Sequence, residues 1–304
     1  MDNTTKKIED GRDYLAIFDG YYEDTCETRE IDIPLGAEEI LENAFRDFKN
    51  LEVIRIPGTV KIIGANAFSG CQKLRRVELG HGIEIIGDEA FSSCPTLCEI
   101  TLPNSCKFIG EGCFEACASL SRVVLSESIT EIGPCAFAFC FNLGHVEIPD
   151  SCVILNFSAF SSCFSLEGIK LSNNISEIPE SAFEGCRSLK YVEMPTKLVK
   201  IGRRAFKGCT SLSSIILPLV TKNIGLDAFA DCTSLSRIAI PHRVCEIEDT
   251  DVFGGCDSLG EISFGGTKEA WEKLCHGNTL TIQRTDCTSA TPKISFMNMT
   301  DSDV

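Results

Sequence analysis

The chain is poor in the residues that most chemistry requires. Its 304 residues include one Trp, four Tyr, four Met and four His, and 28 basic residues stand against 44 acidic ones. A formal charge of -16, which no Lys/Arg cluster is expected to interrupt, repels a phosphate backbone and points away from nucleic acid and anionic membranes. No stretch approaches the roughly 20 apolar residues of a membrane span, and the opening MDNTTKKIEDGRDYL holds no apolar run of secretory length. The expectation is a cytoplasmic protein without a membrane span; a cell-surface or secreted protein with a trimmed N-terminus would read the same way.

Catalytic and metal motifs are missing too. There is no P-loop, G-x-G-x-x-G, H-E-x-x-H or G-x-S-x-G, and His81, His145, His242 and His276 are scattered without metal-ligand spacing. The sequence therefore predicts no enzyme activity, no metal and no cofactor. Eighteen cysteines invite a disulfide reading, but no C-x2-C occurs and nine of them share one slot of a repeat. Stacked in parallel, they point their Cβ atoms the same way, unlike a bridge, and Cys106 and Cys152 lie two coils, about 10 Å, apart. Buried, reduced thiols filling small gaps are expected.

What the chain does have is periodicity. Phe45, Phe68, Phe91, Phe114, Phe137, Phe160, Phe183, Phe206 and Phe229 recur every 23 residues, and Phe253 follows after 24. Three residues later comes Cys, from Cys71 to Cys256, with Phe48 in the first unit; three further on comes Leu, from Leu51 to Leu259. The next residues alternate, as in Leu51-Glu52-Val53-Ile54-Arg55-Ile56-Pro57, the period-two mark of a strand with one buried face. Units often close on pairs such as Ile63-Gly64, although Pro179 occupies that Gly slot once, so a positive φ is not required there in every repeat.

A 20-to-29-residue period containing L-x-x-L-x-L is the leucine-rich-repeat signature. The expected fold is an α/β leucine-rich-repeat solenoid: a right-handed superhelix of about ten 23-residue units, with a parallel sheet on its concave face and short helical turns and short strands elsewhere. One coil cannot bury its own apolar face, so ten coils stacked about 4.8 Å apart would form a curved rod roughly 45 to 50 Å long, with internal Phe, Leu, Ile and Cys columns. The pattern I-x-x-I-G-x-x-A-F-x-x-C-x-x-L-x-x-V-x-I-P resembles the BspA-like leucine-rich repeats over about residues 29–275. That resemblance implies an adhesion-like binding scaffold without a conserved active site. It departs from other repeats in lacking an Asn ladder: Thr59, Gly82, Ser105, Ser128 and Lys197 hold the slot after the strand, so the backbone must be satisfied another way.

Three segments follow: an N-terminal cap over 1–28 centred on Tyr14–Phe18, repeats over 29–265, and a C-terminal segment over 266–304. The last is read as a capping helix with Thr267 as N-cap and Ala270, Trp271 and Leu274 as its apolar stripe, a last strand over Thr279–Gln283, and a frayed tail. Function is sought in the outward strand residues, which packing does not fix. A recognition stripe of Arg122, Val124, His145, Glu147, Tyr191, Glu193, Ile216 and Arg237 is the candidate site, because Tyr and Arg are common interface anchors. Its partner is a protein, with a glycan as the alternative. The competing reading of the face is cross-strand charge pairing among Arg76, Glu99 and Arg122; the competing role is a structural or self-assembling repeat protein without a separate ligand.

Overall fold

The computed structural model describes residues 5–6, 28–248, 251–275, 282–283 and 289–296. Residues 1–154 and 155–304 form two compact units. Each is a parallel-strand β-solenoid, with about ten turns in all.

Most turns carry two strands. The longer, of three or four residues, alternates exposed and buried positions, as in Glu99–Thr101, Arg122–Val124 and His145–Glu147. Successive long strands pair in parallel one period apart, Ile31 with Ile54, Ile54 with Val77 and Val123 with Ile100 in the first unit, Ile215 with Ile238 and Ile238 with Ile262 in the second. A shorter strand, such as Ile62–Ile63 or Lys200–Ile201, builds a second ladder on another side of each turn. The 23-residue period keeps each side chain above its counterpart.

The Phe residues make columns with nearly parallel rings. Centroids lie 5.1 Å apart for Phe45–Phe68 and for Phe68–Phe91, and 5.5 Å apart for Phe206–Phe229, with interplanar angles of 4 to 6°. All ten Phe residues of the register are buried. Phe48, in the Cys slot of the first unit, meets Phe45 edge-on instead.

The helical turns expected from the α/β reading are absent, and the reason lies in the backbone. Through the Ala-Phe segment, alternate N–H groups serve two masters. Those of Ala44, Arg46 and Phe48 donate within the coil to Leu41, Asn43 and Phe45, while those of Asn43, Phe45 and Asp47 donate to Ala65, Ala67 and Ser69 of the next coil. A helix would spend all of these donors internally, leaving the neighbouring coil's carbonyls unmet. Residues with left-handed φ such as Asn43 and Asp47, or Asn66 and Gly70, punctuate each return segment and break any helical run. Among the described residues, Lys268–Leu274 is the one α-helix.

The Gly slot closing each unit is likewise explained by proximity. Gly64 has no positive φ, but a Cβ there would lie 2.6 to 2.8 Å from the Ile40–Glu42 backbone one coil back.

The cysteine column replaces the missing Asn ladder. Cys71, Cys94, Cys117 and Cys140 donate their thiols to the carbonyls of Phe45, Phe68, Phe91 and Phe114, one coil back, at 3.1 to 3.2 Å. Cys186, Cys209, Cys232 and Cys256 do the same to Phe160, Phe183, Phe206 and Phe229. Ser105 and Ser151 add hydroxyl bonds to the Ile83 and Ile129 carbonyls. The column is thus a hydrogen-bonded ladder rather than gap filling alone.

At the ends, Thr5–Lys6 pairs in parallel with Glu30–Ile31, while Tyr14–Phe18 lie outside the described residues. Thr267 caps the helix by accepting from the Ala270 N–H, and Trp271 packs against Phe264 with ring centroids 5.3 Å apart. Trp271 and Leu274 are buried but Ala270 is exposed, so the apolar stripe is narrower than expected. The strand continuing the long-strand sheet is Lys293–Phe296, paired with Glu261–Phe264. Ile282–Gln283, within the expected last strand, pairs antiparallel with Ser289–Ala290. The tail from Met297 to Val304 lies outside the described residues.

Candidate recognition surface

All eight candidate residues stand on long strands with their side chains exposed, four in each unit. In the first unit, Arg122 and His145 are register partners, and with Val124, Glu147 and Glu127 they line a shallow depression of about 440 Å³. His145 Nε2 lies 3.6 Å from Glu147 Oε1, beyond hydrogen-bond distance. The depression offers no activated nucleophile: Ser121, at its edge, donates its hydroxyl to the Cys98 carbonyl.

The charge-pairing alternative fails here. No ion pair joins Arg76, Glu99 and Arg122; Arg76 turns to Glu78 on its own strand at 2.9 Å, and the guanidinium of Arg122 has no ion-pair or hydrogen-bond partner among the described residues. The pairs that form on this face converge on Arg55, which reaches Glu30 and Asp32 at 3.1 Å and Glu78 at 3.5 Å. Hydrogen bonds from Arg55 to Asp32 and Glu30 push its pKa further up.

In the second unit, Tyr191 and Ile216 lie on either side of a break in the sheet. Gly168–Lys170 pairs with Tyr191–Glu193, and Ser214–Ile216 pairs with Arg237–Ile240, but no ladder joins Tyr191–Glu193 to Ser214–Ile216. An open groove of about 590 Å³ fills the break, lined by Tyr191, Met194, Ile216, Pro218, Leu219 and Val220 among others. Tyr191 is 50% and Ile216 49% exposed. Glu193 and Arg237 are not in its wall; Glu193 is the register partner of Lys170, and Arg237 stands beside Ser214.

Four groove residues, Met194, Pro218, Leu219 and Val220, escaped the sequence reading. The signal was in the two-residue turn after the strand, which reads Gly58-Thr59, Asn104-Ser105, Asp150-Ser151, Asn173-Asn174 and Thr196-Lys197 elsewhere but Leu219-Val220 here. The next slot is inverted as well: apolar in other turns, it is Thr221 here, fully buried, with its hydroxyl donated to the Leu198 carbonyl.

The acidic balance is uneven, contrary to the expectation that no basic cluster interrupts it. Residues 187–243 carry ten Lys and Arg against three Asp and Glu, whereas the remainder carries 18 against 41. Many of these cations are engaged, Lys190 with Glu167 at 2.8 Å and Lys200 with Glu177 at 2.9 Å, while Arg187 lies 4.6 Å above the Phe164 ring. Arg237 and Arg243 have no ion-pair or hydrogen-bond partner for their side chains among the described residues.

The family model for BspA-type leucine-rich-repeat regions matches residues 38–167 and 153–283, in six copies. The chain belongs to the BspA-type leucine-rich-repeat family. Among solved structures, this BspA-type chain is similar to a leucine-rich cell surface protein of Faecalibacterium prausnitzii at 26% identity and a TM-score of 0.51, over 91% of this chain and 80% of that one. The pneumococcal vaccine antigen PcpA shares the fold at 20% identity and a TM-score of 0.56, over 92% and 83%. A leucine-rich-repeat protein of T. pallidum is 28% identical over 60% and 77%, with a TM-score of 0.46. No curated protein matches the chain. Among the described residues of this BspA-type scaffold, no helix is long and apolar enough to cross a membrane, and no group of three or more His, Cys, Asp or Glu is placed to hold a metal ion.

Proposed function

We propose that the chain is a non-enzymatic scaffold that binds a protein partner through the outward face of its long strands. The observation that carries this reading is the apolar groove at Tyr191 and Ile216. Side chains of that size are half exposed in slots a solvated sheet gives to polar residues, and Tyr beside aliphatic anchors is the composition of an interface centre. Arg122 in the first unit and Arg237 in the second, both without salt-bridge partners among the described residues, supply polar anchors at lower desolvation cost than paired cations would. A glycan partner has less support, since among the described residues Tyr191 is the one Tyr or Trp in the outward slots of the face.

Surface display, as of the similar Faecalibacterium protein, fits this role, and sixteen free cysteines among the described residues fit a reducing compartment; fractionation of the source cells separates the two. The test of the role is quantitative capture on immobilised wild type, Arg122→Glu and Tyr191→Ala. Proteins retained by the wild type should be depleted on at least one variant whose circular dichroism and melting are unchanged. Equal retention on all three would move binding off this face. Sedimentation that shifts with concentration, with nothing captured, would favour the self-assembling alternative.

A further inference from the structure

The groove of the second unit combines two properties that specify its occupant. Its lining is mainly apolar, from Tyr191, Met194, Ile216, Pro218, Leu219 and Val220, with Thr196, Ser214 and Lys190, the last engaged by Glu167 at 2.8 Å, beside them. Its surroundings are cationic. Stepping one period either way from Val220 reaches Lys197 and Arg243 in the same turn slot, and stepping from Ser214 to its register partner reaches Arg237. Lys197 is hydrogen bonded to Asn174 Oδ1 and so keeps its charge uncompensated, and Arg237 and Arg243 have no salt-bridge partner among the described residues. The only carboxylate in residues 187–226 is Glu193.

Resting on the binding-scaffold reading, we propose that this groove takes an acidic peptide segment in which one or two bulky apolar side chains are flanked by Asp or Glu. The apolar side chain seats between Tyr191 and Ile216 against Leu219 and Val220. The flanking carboxylates meet Arg237 on the strand face and Lys197 and Arg243 at the turn. The register of the cations fixes the spacing: the three lie within one coil of Val220 or Ser214, about 4.8 Å per step, so the carboxylates fall within two or three residues of the anchor in an extended chain. The same arrangement rejects basic peptides, because three uncompensated cations would face them.

The probe is a displayed library of random 12-residue peptides, selected on the full chain, with recovered peptides resynthesised and measured by fluorescence polarisation. The expected consensus pairs Leu, Ile, Phe or Trp with nearby Asp or Glu. Ile216→Asp or Val220→Asp should weaken binding about ten-fold or more, and Arg237→Glu or Arg243→Glu about three- to ten-fold. Raising NaCl from 50 to 300 mM should weaken it several-fold, while Lys49→Glu, at an exposed turn of the first unit, leaves it unchanged. Each variant is first checked for an unchanged circular dichroism melt.

A basic or purely polar consensus overturns the assignment. So does an oligothymidylate 20-mer that binds as tightly and with the same sensitivity to Ile216→Asp, because the site would then read negative charge on any polymer. Peptides that respond to Arg122→Glu and not to the groove variants sink the groove while leaving the long-strand face as the binding surface. A selection that enriches nothing above an Ile216→Asp bait sinks the groove as well, and capture on the Arg122→Glu and Tyr191→Ala baits then decides the broader reading by itself.

Discussion

The ring of Tyr191 lies across Gly168, its register partner on the neighbouring strand, in the space a Cβ at 168 would need. Gly168 is the only glycine among the first outward positions of the long strands, and the ring that covers it forms one wall of the groove. Gly168→Ala should therefore evict the ring without disturbing the buried columns. Because Tyr191 is half exposed, it can swing into solvent. The expected result is a melting temperature within about 2 °C of wild type, given the small cost of surface changes, and a loss of partner binding equal to that of Tyr191→Ala. A fall in stability with binding intact would show that the ring is structural.

The Phe column carries a large share of the packing. Phe137 is fully buried and stacks on Phe114 with ring centroids 5.3 Å apart. Phe137→Ala should lower stability by about 3 to 5 kcal/mol, seen as a lower urea midpoint, from lost contacts and the cavity left behind. A shift near zero would mean that the column can collapse around the gap.

Burial pushes the thiols of Cys117 and Cys186 up to about 12, against an ordinary value of 9.0. Such thiols stay protonated when folded but ionise above pH 9 once the chain unfolds. The unfolded state then binds fewer protons, so stability falls as pH rises between 9 and 12, by about 1.4 kcal/mol per unit for each such thiol. The urea midpoint should be flat from pH 7 to 9 in this respect and drop steeply from 9 to 11. Mass spectrometry after iodoacetamide at pH 8 should find the exposed Cys98 and Cys245 modified and Cys117 and Cys186 protected until urea is added.

Arg55 gathers Glu30, Asp32 and Glu78 on the outward face of the first unit. Its side chain is more than a third exposed, so solvent screens each pair and the network as a whole contributes modestly. Arg55→Ala should cost about 1 kcal/mol at low salt, since it leaves three neighbouring carboxylates to repel one another, and the deficit should shrink at 0.5 M NaCl. A deficit independent of salt would assign the effect to the packing of the Arg stem instead.

The buried columns were legible in the sequence because burial imposes the same demand on every coil. A slot that must hold Phe at 68 must hold it at 91 and 114, and repetition turns one weak signal into ten. The return segments were expected to include helical turns because a leucine-rich repeat commonly returns through a turn or short helix, while the competing demand came from carbonyls of the adjacent coil, which no single unit displays. The breaks in the long-strand sheet were invisible for the same reason: pairing is a relation between the backbones of two adjacent coils, which no single unit displays. The groove lay between these cases. Tyr191 and Ile216 stand in outward slots that the period defines, whereas Leu219-Val220 departs from its slot in one turn alone, and a single departure has no repetition to amplify it.

Seven thiols of the column reach a carbonyl 26 residues earlier, one period plus three, and the single 24-residue turn stretches that reach to 27 between Cys256 and Phe229. The fold therefore measures chain length in whole turns, with slack of one residue demonstrated in one place. Excising 23 consecutive residues inside one unit would rejoin every column one step along, whereas excising 12 would set Phe opposite a strand and strand opposite a turn. Growth or shortening of such a molecule is quantised, and its length becomes an adjustable trait that leaves the interior chemistry untouched.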